Sequence, residues 1–379
     1  MIVGIDGNEA NVKEKVGVSV YTLKQLEHFQ KSANKNLQFI VFLKYKPSDD
    51  LPNENQFYKY QHVPGNFLWS QTFLPIELYR RRVFGQKIDL FFSPAHYAPR
   101  FCPIPFVVTI HDLSYFYYPA EFLKKDLHQL KSWTKYSVEK AKKVIAVSNT
   151  TKKDVIKFYG IDDKKIEVIY NGYEKNLKAQ NSNVKATTQK LKLEKNKYIL
   201  FVGTLQPRKN IDTLIEAFGY FKKQNPSFKL IIVGKKGWLY DHIFKLIEDF
   251  KLKRDVIYRG YVTDDELGNL YKNAFSFVLP SFYEGFGIPV LEAMGYGCPV
   301  ISSFASSLPE VGGDASLYFD PKSPSELAEK LTNLKDNKEL RKQLIEKGKV
   351  RIKQFSWQKC AEQTLQILKN ASFRNMPTT

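Results

Sequence analysis

Short apolar runs alternate with longer amphipathic stretches along the first half of the chain. The runs have the length and composition of buried strands, and helical patterns fill the gaps between them. In chain order the runs are residues 2–5, 37–43, 88–92, 106–110, 144–147 and 166–170. This serial order of strands and helices predicts a parallel sheet with helices on both faces, as in a Rossmann-like domain.

A second series of the same kind follows a polar stretch, residues 175–196, that is rich in Lys, Asn and Gln. Its helical stretches include 211–222 and 241–250. Its predicted strands are residues 198–202, 230–233, 256–258, 275–279 and 300–302. The fold class predicted is therefore α/β with two Rossmann-like domains.

The domain bounds follow from these two series. We predict a first domain over 1–175, a linker over 176–196 and a second domain over 197–354. In the remaining segment, 355–379, amphipathic spacing predicts a helix that begins after Ser356, a suitable N-cap.

Composition agrees with a compact two-domain protein. The chain has 379 residues, of which 43% are hydrophobic and 14% aromatic, which is long for one core and ample for two. Its three cysteines are far apart and form no metal-ligand pattern. The first residues lack the features of a secretory signal, and no run is long enough to span a membrane, so we expect a cytoplasmic location.

The charge balance is strongly basic. Lys and Arg number 58 against 39 Asp and Glu, a formal charge of +19, which favours anionic partners. Nucleotides, nucleic acid and acidic lipid surfaces all fit this charge, and so does a simple contribution to solubility. Charge alone does not choose among them.

The most informative stretch is residues 280–294, PSFYEGFGIPVLEAM. An apolar strand leads into it, and Pro289 suits the first turn of a following helix. Glu284 is then expected in the loop and Glu292 in the first helical turn. Gly285 and Gly287 allow a ligand close to the backbone, and the helix start favours an anion. Such a site suits a phosphate-bearing ligand rich in hydroxyl groups.

The two glutamates, eight residues apart around Gly-Phe-Gly, resemble the paired-glutamate signature of the retaining family 4 glycosyltransferases of GT-B fold. The resemblance continues through 297–302 (GCPVIS), 309–311 (PEV) and 313–315 (GDA), and it covers nearly the whole chain. It implies two Rossmann-like domains facing a central cleft, the first binding the acceptor and the second the nucleotide sugar. It also implies that the last helix crosses back to the first domain.

The resemblance assigns roles to the residues of this loop. Glu284 is implied to hold hydroxyls of the donor sugar and Glu292 to hold the ribose diol. Gly285, Phe286 and Gly287 are implied to line the donor site. Neither glutamate is expected to act as a nucleophile, in contrast to the carboxylates of retaining glycosidases.

A second cluster follows the predicted strand 198–202. Arg208 and Lys209 precede a helix, with Asn210 as the expected N-cap, and such an arrangement can neutralise a diphosphate. The Arg-Lys-Asn run matches the pattern of the family, which implies donor binding by Arg208 and Lys209.

Three further positions match the family. His111, which ends the strand 106–110, is implied to lie near the donor sugar and the acceptor hydroxyl, with Asp112 supporting it. Gly17 resembles the glycine whose amide meets the distal phosphate. The following Ser19-Val20-Tyr21 lacks the Arg or Gln that many members carry before the Tyr. Val262, after another predicted strand, is implied to contact the nucleotide base through its main chain.

No metal or cofactor is expected. The Asp-x-Asp pattern of metal-dependent glycosyltransferases is not found at a strand end, so Arg208, Lys209 and helix N-termini are expected to balance the leaving diphosphate. For the family, the new bond forms on the face from which the nucleotide leaves, with the departing phosphate as the base.

The resemblance is strongest to bacterial mannosyltransferases of surface-polysaccharide assembly, which implies GDP-mannose as donor and a glycan or lipid-linked acceptor. UDP-glucose and UDP-N-acetylglucosamine remain open as donors. A related alternative keeps the fold but hydrolyses or epimerises the nucleotide sugar. A non-catalytic nucleic-acid-binding protein would also explain the charge, but the sequence carries no motif for it, so no nucleic-acid partner is expected.

A basic amphipathic stretch, residues 122–136, allows two interpretations. It can lie on an anionic membrane at the inner face, assisted by the basic cluster at 79–82, or it can be an ordinary domain helix with its lysines in water. Peripheral membrane contact is therefore a hypothesis.

Overall fold

The computed structural model of the protein describes residues 1–15, 17–85, 87–174, 194–237 and 239–372. Within it the chain divides into two compact units. The first contains Met1–Gly172 and the segment from Ser356 onward, and the second contains Tyr173–Phe355. Most of the predicted linker, 176–193 of 176–196, lies outside the described residues.

The first unit is built on a seven-stranded sheet in which every pair of neighbours is parallel. The strands are β1 (Ile2–Asp6), β2 (Gln38–Leu43), β3 (Tyr58–His62), β4 (Leu90–Ser93), β5 (Phe106–Ile110), β6 (Lys143–Ala146) and β7 (Ile166–Val168). Their order across the sheet is β3-β2-β1-β4-β5-β6-β7, so the order reverses between β1 and β4. Doubly wound sheets bind ligands at such a switch point, outside the carboxyl ends of the strands.

Helices connect and cover these strands. The α-helices of the first unit are α1 (Val18–Ser32), α2 (Phe73–Phe84), α3 (Ser114–Tyr117), α4 (Lys124–Lys140), α5 (Asn149–Tyr159) and, from the C-terminal segment, α13 (Trp357–Ser372). The Oγ of Ser356 accepts a hydrogen bond from the Lys359 amide, as expected for an N-cap. In α13, Trp357 packs against Tyr21 of α1, with ring centroids 6.2 Å apart. The C-terminal helix is thus part of the core of the first unit.

The second unit repeats the plan with a six-stranded sheet, again parallel throughout. Its strands are β8 (Tyr198–Val202), β9 (Lys229–Val233), β10 (Val256–Gly260), β11 (Ser276–Leu279), β12 (Val300–Ser303) and β13 (Ser316–Phe319). The order is β10-β9-β8-β11-β12-β13, which places its switch point between β8 and β11.

The α-helices of the second unit are α6 (Ile211–Gln224), α7 (Asp241–Asp249), α8 (Asp264–Asn273), α9 (Ile288–Gly295), α10 (Leu308–Gly312), α11 (Pro324–Asp336) and α12 (Lys338–Arg351). The central strands of both sheets are almost entirely buried, as is usual for parallel sheets covered on both faces. No helix in the described parts of the chain is both long enough and apolar enough to cross a membrane.

Two strands were not predicted, and both lie at sheet edges. In β3, residues 59–62 are only partly buried or exposed, and in β13 the two central residues are partly exposed. An edge strand lacks a neighbour on one side, so it needs no continuous apolar run. The other two edge strands, β7 and β10, were predicted, so an apolar run is constant only in the central strands.

Candidate active site

Two loops meet at the switch point of the second unit. One follows β8 and ends in a 3-10 turn, Pro207–Lys209, and the other follows β11 and runs from Pro280 to Gly287. The strands are hydrogen-bonded neighbours, so both loops leave the same edge of the sheet side by side. The amide of Phe282 donates to the carbonyl of Arg208 at 2.9 Å, which joins the loops directly.

A buried ion cluster links the two loops. The Nζ of Lys209 lies 2.7 Å from Oε1 and 2.9 Å from Oε2 of Glu284. The Nη1 of Arg208 is 3.8 Å from Oε2 of the same carboxylate. Glu284 itself is only 8% exposed. Since 75 residues separate Lys209 from Glu284, this contact is made by the tertiary fold.

The charges in this cluster decide the protonation of Glu284. Burial raises the pKa of the carboxyl group, but the charges of Lys209 and Arg208, with hydrogen bonds from Lys209 and Ser281, outweigh it and hold the pKa below its ordinary value. Glu284 is therefore ionised at neutral pH. The three side chains together carry one net positive charge at the carboxyl edge of the sheet.

Three serines that the sequence analysis did not single out hold the Glu284 loop. Ser281 donates to Oε1 of Glu284 at 2.6 Å, and Ser306 accepts from the Glu284 amide at 2.8 Å. Ser307 donates to the carbonyls of Glu284 and Phe286. Ser281 could have been noticed three residues before Glu284. Ser306 and Ser307 lie beyond β12 and give no local signal.

Asn210 does not cap α6 as predicted. Its backbone has left-handed torsion angles, φ 55° and ψ 43°, and its side chain makes no cap hydrogen bond. Its Nδ2 instead donates to the carbonyls of Pro280 and Pro321, at 3.0 and 2.7 Å. The prediction was wrong because Asn also tolerates the left-handed region. The residue ties the two loops together.

Glu292 lies in the second turn of α9, not in the first turn as predicted, because the helix begins at Ile288. Its Oε2 accepts a hydrogen bond from the Tyr271 hydroxyl at 3.0 Å. The Tyr271 ring stacks on Tyr296 with centroids 5.9 Å apart. Burial in these surroundings raises the pKa of the Glu292 carboxyl. Tyr271 carries no sequence signal that points to Glu292.

Residues 285–287, which follow Glu284, are held by packing and by backbone conformation. Gly287 has φ 105°, and a Cβ there would lie 2.7 Å from Leu308 Cδ2, so the position requires glycine. The ring of Phe286 is buried and packs edge-on against Phe355. Gly285 precedes it in the same loop. This segment can therefore face a ligand only through its backbone.

Val262 follows β10 and is buried, so its side chain is not available to a ligand. Its neighbour Tyr261 is exposed, and the Nζ of Lys235 lies 5.6 Å from the centre of the Tyr261 ring. The loop thus presents an aromatic ring and a main chain at the carboxyl end of β10.

In the first unit His111 directly follows β5 and is 8% exposed. Its Nε2 lies 2.7 Å from the carbonyl oxygen of Pro94, which can only accept, so Nε2 carries the proton. The ring packs edge-on against Tyr21 and His96, with centroids 4.8 and 5.5 Å away. Burial, with the nearby His96, lowers the pKa of His111 to about 3, so the imidazole is neutral.

Asp112, the residue after His111, also holds the turn that follows it. Its Oδ1 accepts from the amide and the hydroxyl of Ser114, which shapes the turn into α3. The Pro94 carbonyl accepts from Nε2 of His111, and the charge of Asp112 acts on the same ring by raising its pKa.

Gly17 occupies the N-cap position of α1 with φ 47° and ψ −104°. A Cβ there would meet no heavy atom within 4 Å, so the conformation, and not crowding, requires glycine. The start of a 15-residue helix suits an anion. Val16, the residue before Gly17, lies outside the described residues.

The structure thus brings Arg208, Lys209, Glu284 and the 285–287 backbone into one cluster in the second unit. Glu292 shares the loop and helix but has its own aromatic partners. His111 and Gly17 belong to the first unit. Among the residues that the structure describes, no group of His, Cys, Asp and Glu side chains is arranged to hold a metal ion.

Comparison with protein families gives two matches that together cover most of the chain. Residues 17–176 match the family model for "Glycosyltransferase Family 4", and residues 183–351 match the model for "Glycosyl transferases group 1".

Two bacterial proteins are similar in sequence. O-antigen chain mannosyltransferase B of Escherichia coli is 33% identical over 272 residues, which are 69% of this chain and 70% of that protein. O-antigen chain mannosyltransferase RfbU of Salmonella typhimurium is 36% identical over 214 residues, 56% of each chain.

A solved structure shares the fold at low sequence identity. Sucrose-phosphate synthase from Thermosynechococcus elongatus superimposes with a TM-score of 0.75 and 19% identity, covering 97% of this chain and 98% of that one. The two parallel-sheet units are thus those of the GT-B glycosyltransferase fold.

Proposed function

Since the chain belongs to glycosyltransferase family 4, we propose that it is a retaining mannosyltransferase that transfers mannose from GDP-mannose to a glycan or lipid-linked acceptor without a metal ion. The observation that carries the proposal is the buried cluster of Arg208, Lys209 and Glu284 at the switch point of the second unit.

The cations of this cluster suit the leaving group. A nucleoside diphosphate develops negative charge as the sugar departs, and two fixed cations stabilise that charge with little reorganisation. Glu284 is ionised and touches Lys209, so it keeps the ammonium at the sheet edge before the donor arrives. The helix start after Gly17 offers backbone donors to the distal phosphate. Positive groups of the protein thus replace the charge that a metal would supply.

The sugar is held by hydroxyl contacts. We assign Glu284 to the donor sugar, because a carboxylate accepts hydrogen bonds from adjacent hydroxyls. His111 contributes as a neutral ring, since Nε2–H is directed to Pro94 and Nδ1 keeps a lone pair that can accept from a hydroxyl. A pKa near 3 makes His111 too weak a base to remove the acceptor proton at neutral pH.

The remaining assignments concern the nucleoside. Glu292, with its carboxylate oriented by Tyr271, accepts from the ribose hydroxyls. The Val262 main chain meets the base. The backbone of 285–287 borders the phosphates and sugar, and its side chains take no part because Phe286 is buried in packing.

The chemical step then needs no protein nucleophile. The bond between C1 of mannose and the diphosphate oxygen breaks, and the acceptor oxygen bonds to C1 on the same face. The acceptor hydroxyl proton passes to an oxygen of the departing phosphate. The protein positions the groups and stabilises the charge.

The identity of the donor rests on the similarity to the two O-antigen mannosyltransferases. The direct test measures thermal unfolding with GDP-mannose, GDP, UDP-glucose and UDP-N-acetylglucosamine. A donor at a hundred times its Kd stabilises the folded state by about 2.7 kcal/mol. We expect the guanine nucleotides to raise the melting temperature and the uridine nucleotides to leave it unchanged.

Product analysis completes the test. Anomeric configuration by NMR should show retention, and transfer should survive excess EDTA. Stabilisation by a UDP-sugar alone would replace the donor assignment. Loss of activity with EDTA would remove metal independence, and release of free mannose despite a competent acceptor would indicate a hydrolase.

A further inference from the structure

Helix α2 of the first unit has an apolar face on its outer side. Ile76 and Val83 are each 65% exposed and Phe84 is 85% exposed. The inner side is apolar too, since Leu74 and Leu78 are fully buried in the core. A surface helix normally turns charged and polar residues outward. An exposed apolar face such as that of α2 is therefore typical of a surface that binds another apolar surface.

Neighbouring residues extend this face. Phe73 and Tyr79 lie on the same side of α2 and are exposed, at the spacing that continues a helical stripe. Phe67, in the loop before α2, is also exposed. We name the set of Phe67, Phe73, Ile76, Tyr79, Val83 and Phe84 the α2 patch.

Positive charge borders the patch. The Nζ of Lys125 lies 5.6 Å from the centre of the Phe67 ring, and Arg82 reaches the Pro103 carbonyl at 2.7 Å with its side chain at the surface. Arg80 stands within the stripe. The acidic residue of this helix, Glu77, is buried and is paired with Arg80 and Arg81. Apolar side chains bordered by cations complement the headgroups and acyl chains of an anionic bilayer.

Helix α4, which the sequence suggested as a membrane contact, is built differently. Its Leu127 and Leu130 pack against the core. Lys124, Lys135 and Lys140 are exposed, so its outer face is polar and charged. This is the ordinary arrangement of a solvated domain helix. Only Lys125, near its start, is shown beside Phe67.

We propose that the α2 patch docks the first unit on an anionic lipid bilayer, with aromatic and aliphatic side chains inserted at the interface and Arg82 and Lys125 on the headgroups. The loop that carries Phe67 follows β3, so it leaves the same sheet edge as His111. Docking therefore brings the Phe67 end of the patch, which lies at this edge, to the lipid surface. If the proposed function holds, on which this assignment rests, the acceptor is the lipid-linked one.

The test uses the full chain and sedimentation with vesicles of phosphatidylcholine alone, or with about one-third phosphatidylglycerol. Val83→Ser/Phe84→Ser should weaken binding to the anionic vesicles at least about tenfold. Arg82→Gln/Lys125→Gln should weaken it by about tenfold and remove the preference for anionic over neutral lipid. The matched control, Val350→Ser/Phe304→Ser, changes residues of the second unit that are 62% and 67% exposed, and should bind like the wild type.

Equal binding by Val83→Ser/Phe84→Ser and the control overturns the proposal, as does negligible binding of the wild type to both vesicles. Sedimentation velocity tests whether the patch instead binds a second copy of the chain. A dimer that dissociates in Val83→Ser/Phe84→Ser assigns the patch to that contact and overturns the membrane assignment. Stabilisation by nucleotide sugars is measured without vesicles, so failure of the proposed function is seen separately.

Discussion

Two carboxylates at the switch points of the two sheets have opposite electrostatic surroundings. Asp6 ends β1 in the first unit, and its Oδ1 accepts only the Asn8 amide among the contacts of the described residues. Burial raises its pKa to about 7. Glu284 follows β11 in the second unit, where Lys209 and Arg208 hold its pKa below the ordinary value. The fold places a carboxylate at the same kind of edge in both units, but in the described parts of the chain only the second carboxylate is paired with cations.

Under the proposed function, this difference suits the two edges to different ligands. The second edge carries fixed charge and suits a diphosphate. Apart from the helix start at Gly17, the first edge carries neutral His111, partly buried Asp6 and aromatic rings, which suit hydroxyl groups without strong charge. The predictions below test this contrast, from the largest expected effect on transfer to the smallest.

Lys209→Met removes the closest cation from Glu284 and from the proposed diphosphate site. We expect kcat/KM for GDP-mannose to fall about a hundredfold, roughly 2.7 kcal/mol of transition-state stabilisation. Lys222→Met is the matched control, since Lys222 is equally buried, at 14% side-chain exposure, and pairs with Asp255 at the opposite end of the sheet. It should cost stability and leave transfer intact. Similar losses of kcat/KM in both variants would show that the effect comes from reduced folding stability and not from the diphosphate site.

Glu284→Gln keeps the shape of the side chain and removes its charge. We expect transfer to fall by about tenfold to thirtyfold, on the order of 1.4–2 kcal/mol. Because the folded pKa lies below the ordinary 4.5, Glu284 stabilises the protein fully above that value and loses this contribution as the pH falls through the folded pKa. Urea unfolding of the wild type and of Glu284→Gln from pH 7 to pH 3 measures this contribution to the free energy of unfolding. If the difference in the free energy of unfolding between the two proteins stays constant across that range, Glu284 is not a stabilising carboxylate.

His111→Phe preserves ring packing against Tyr21 and removes both ring nitrogens. We expect about a tenfold loss of kcat, close to 1.4 kcal/mol. Since the pKa of His111 is about 3, the wild-type profile between pH 5 and 8 should show no titration of this residue. His96→Phe, at the adjacent ring, serves as control and should retain activity. A wild-type inflection that His111→Phe abolishes would mean that the histidine acts as a base.

Gly17→Ala tests the helix start of the first unit. At φ 47° and ψ −104° an alanine is strained, and we expect about a fivefold rise in KM for the donor, roughly 1 kcal/mol. Gly160→Ala is the control, because Gly160 also has positive φ and open space around it but caps the C-terminus of α5. It should lower the melting temperature and leave KM unchanged. Equal KM values in the two variants would remove Gly17 from the donor site.

Asp6→Asn should have the smallest effect on transfer and a clear effect on stability. The folded pKa of about 7 exceeds the ordinary 3.8, so the folded state binds more protons and the wild type loses stability as the pH rises between these values. We expect the variant to be at least about 1 kcal/mol more stable than the wild type at pH 8 and equal to it at pH 4. Chemical denaturation at the two pH values checks this. A variant less stable at pH 8 would mean that a cation partners Asp6.

Much of the fold was predictable because central strands of a parallel sheet are apolar on both faces. Tyr198–Val202 and Phe106–Ile110 were predicted at the bounds that the structure has. The edge strands β3 and β13 were missed because part of their length is exposed. The left-handed backbone of Asn210 and the start of α9 at Ile288 were also not predictable, since the loops that impose them are set by contacts distant in sequence.

The sequence by itself determined the two-domain α/β class, the positions of the central strands and the residue types that follow them, because apolar period and local turn chemistry are encoded within a few residues. Only the tertiary structure decided which of those residues meet. The Lys209–Glu284 contact, the Ser306 and Tyr271 hydrogen bonds and the neutral state of His111 depend on which strands are neighbours and on how much water is excluded. Charge and protonation are properties of the assembled surroundings of a side chain, and no local pattern contains them.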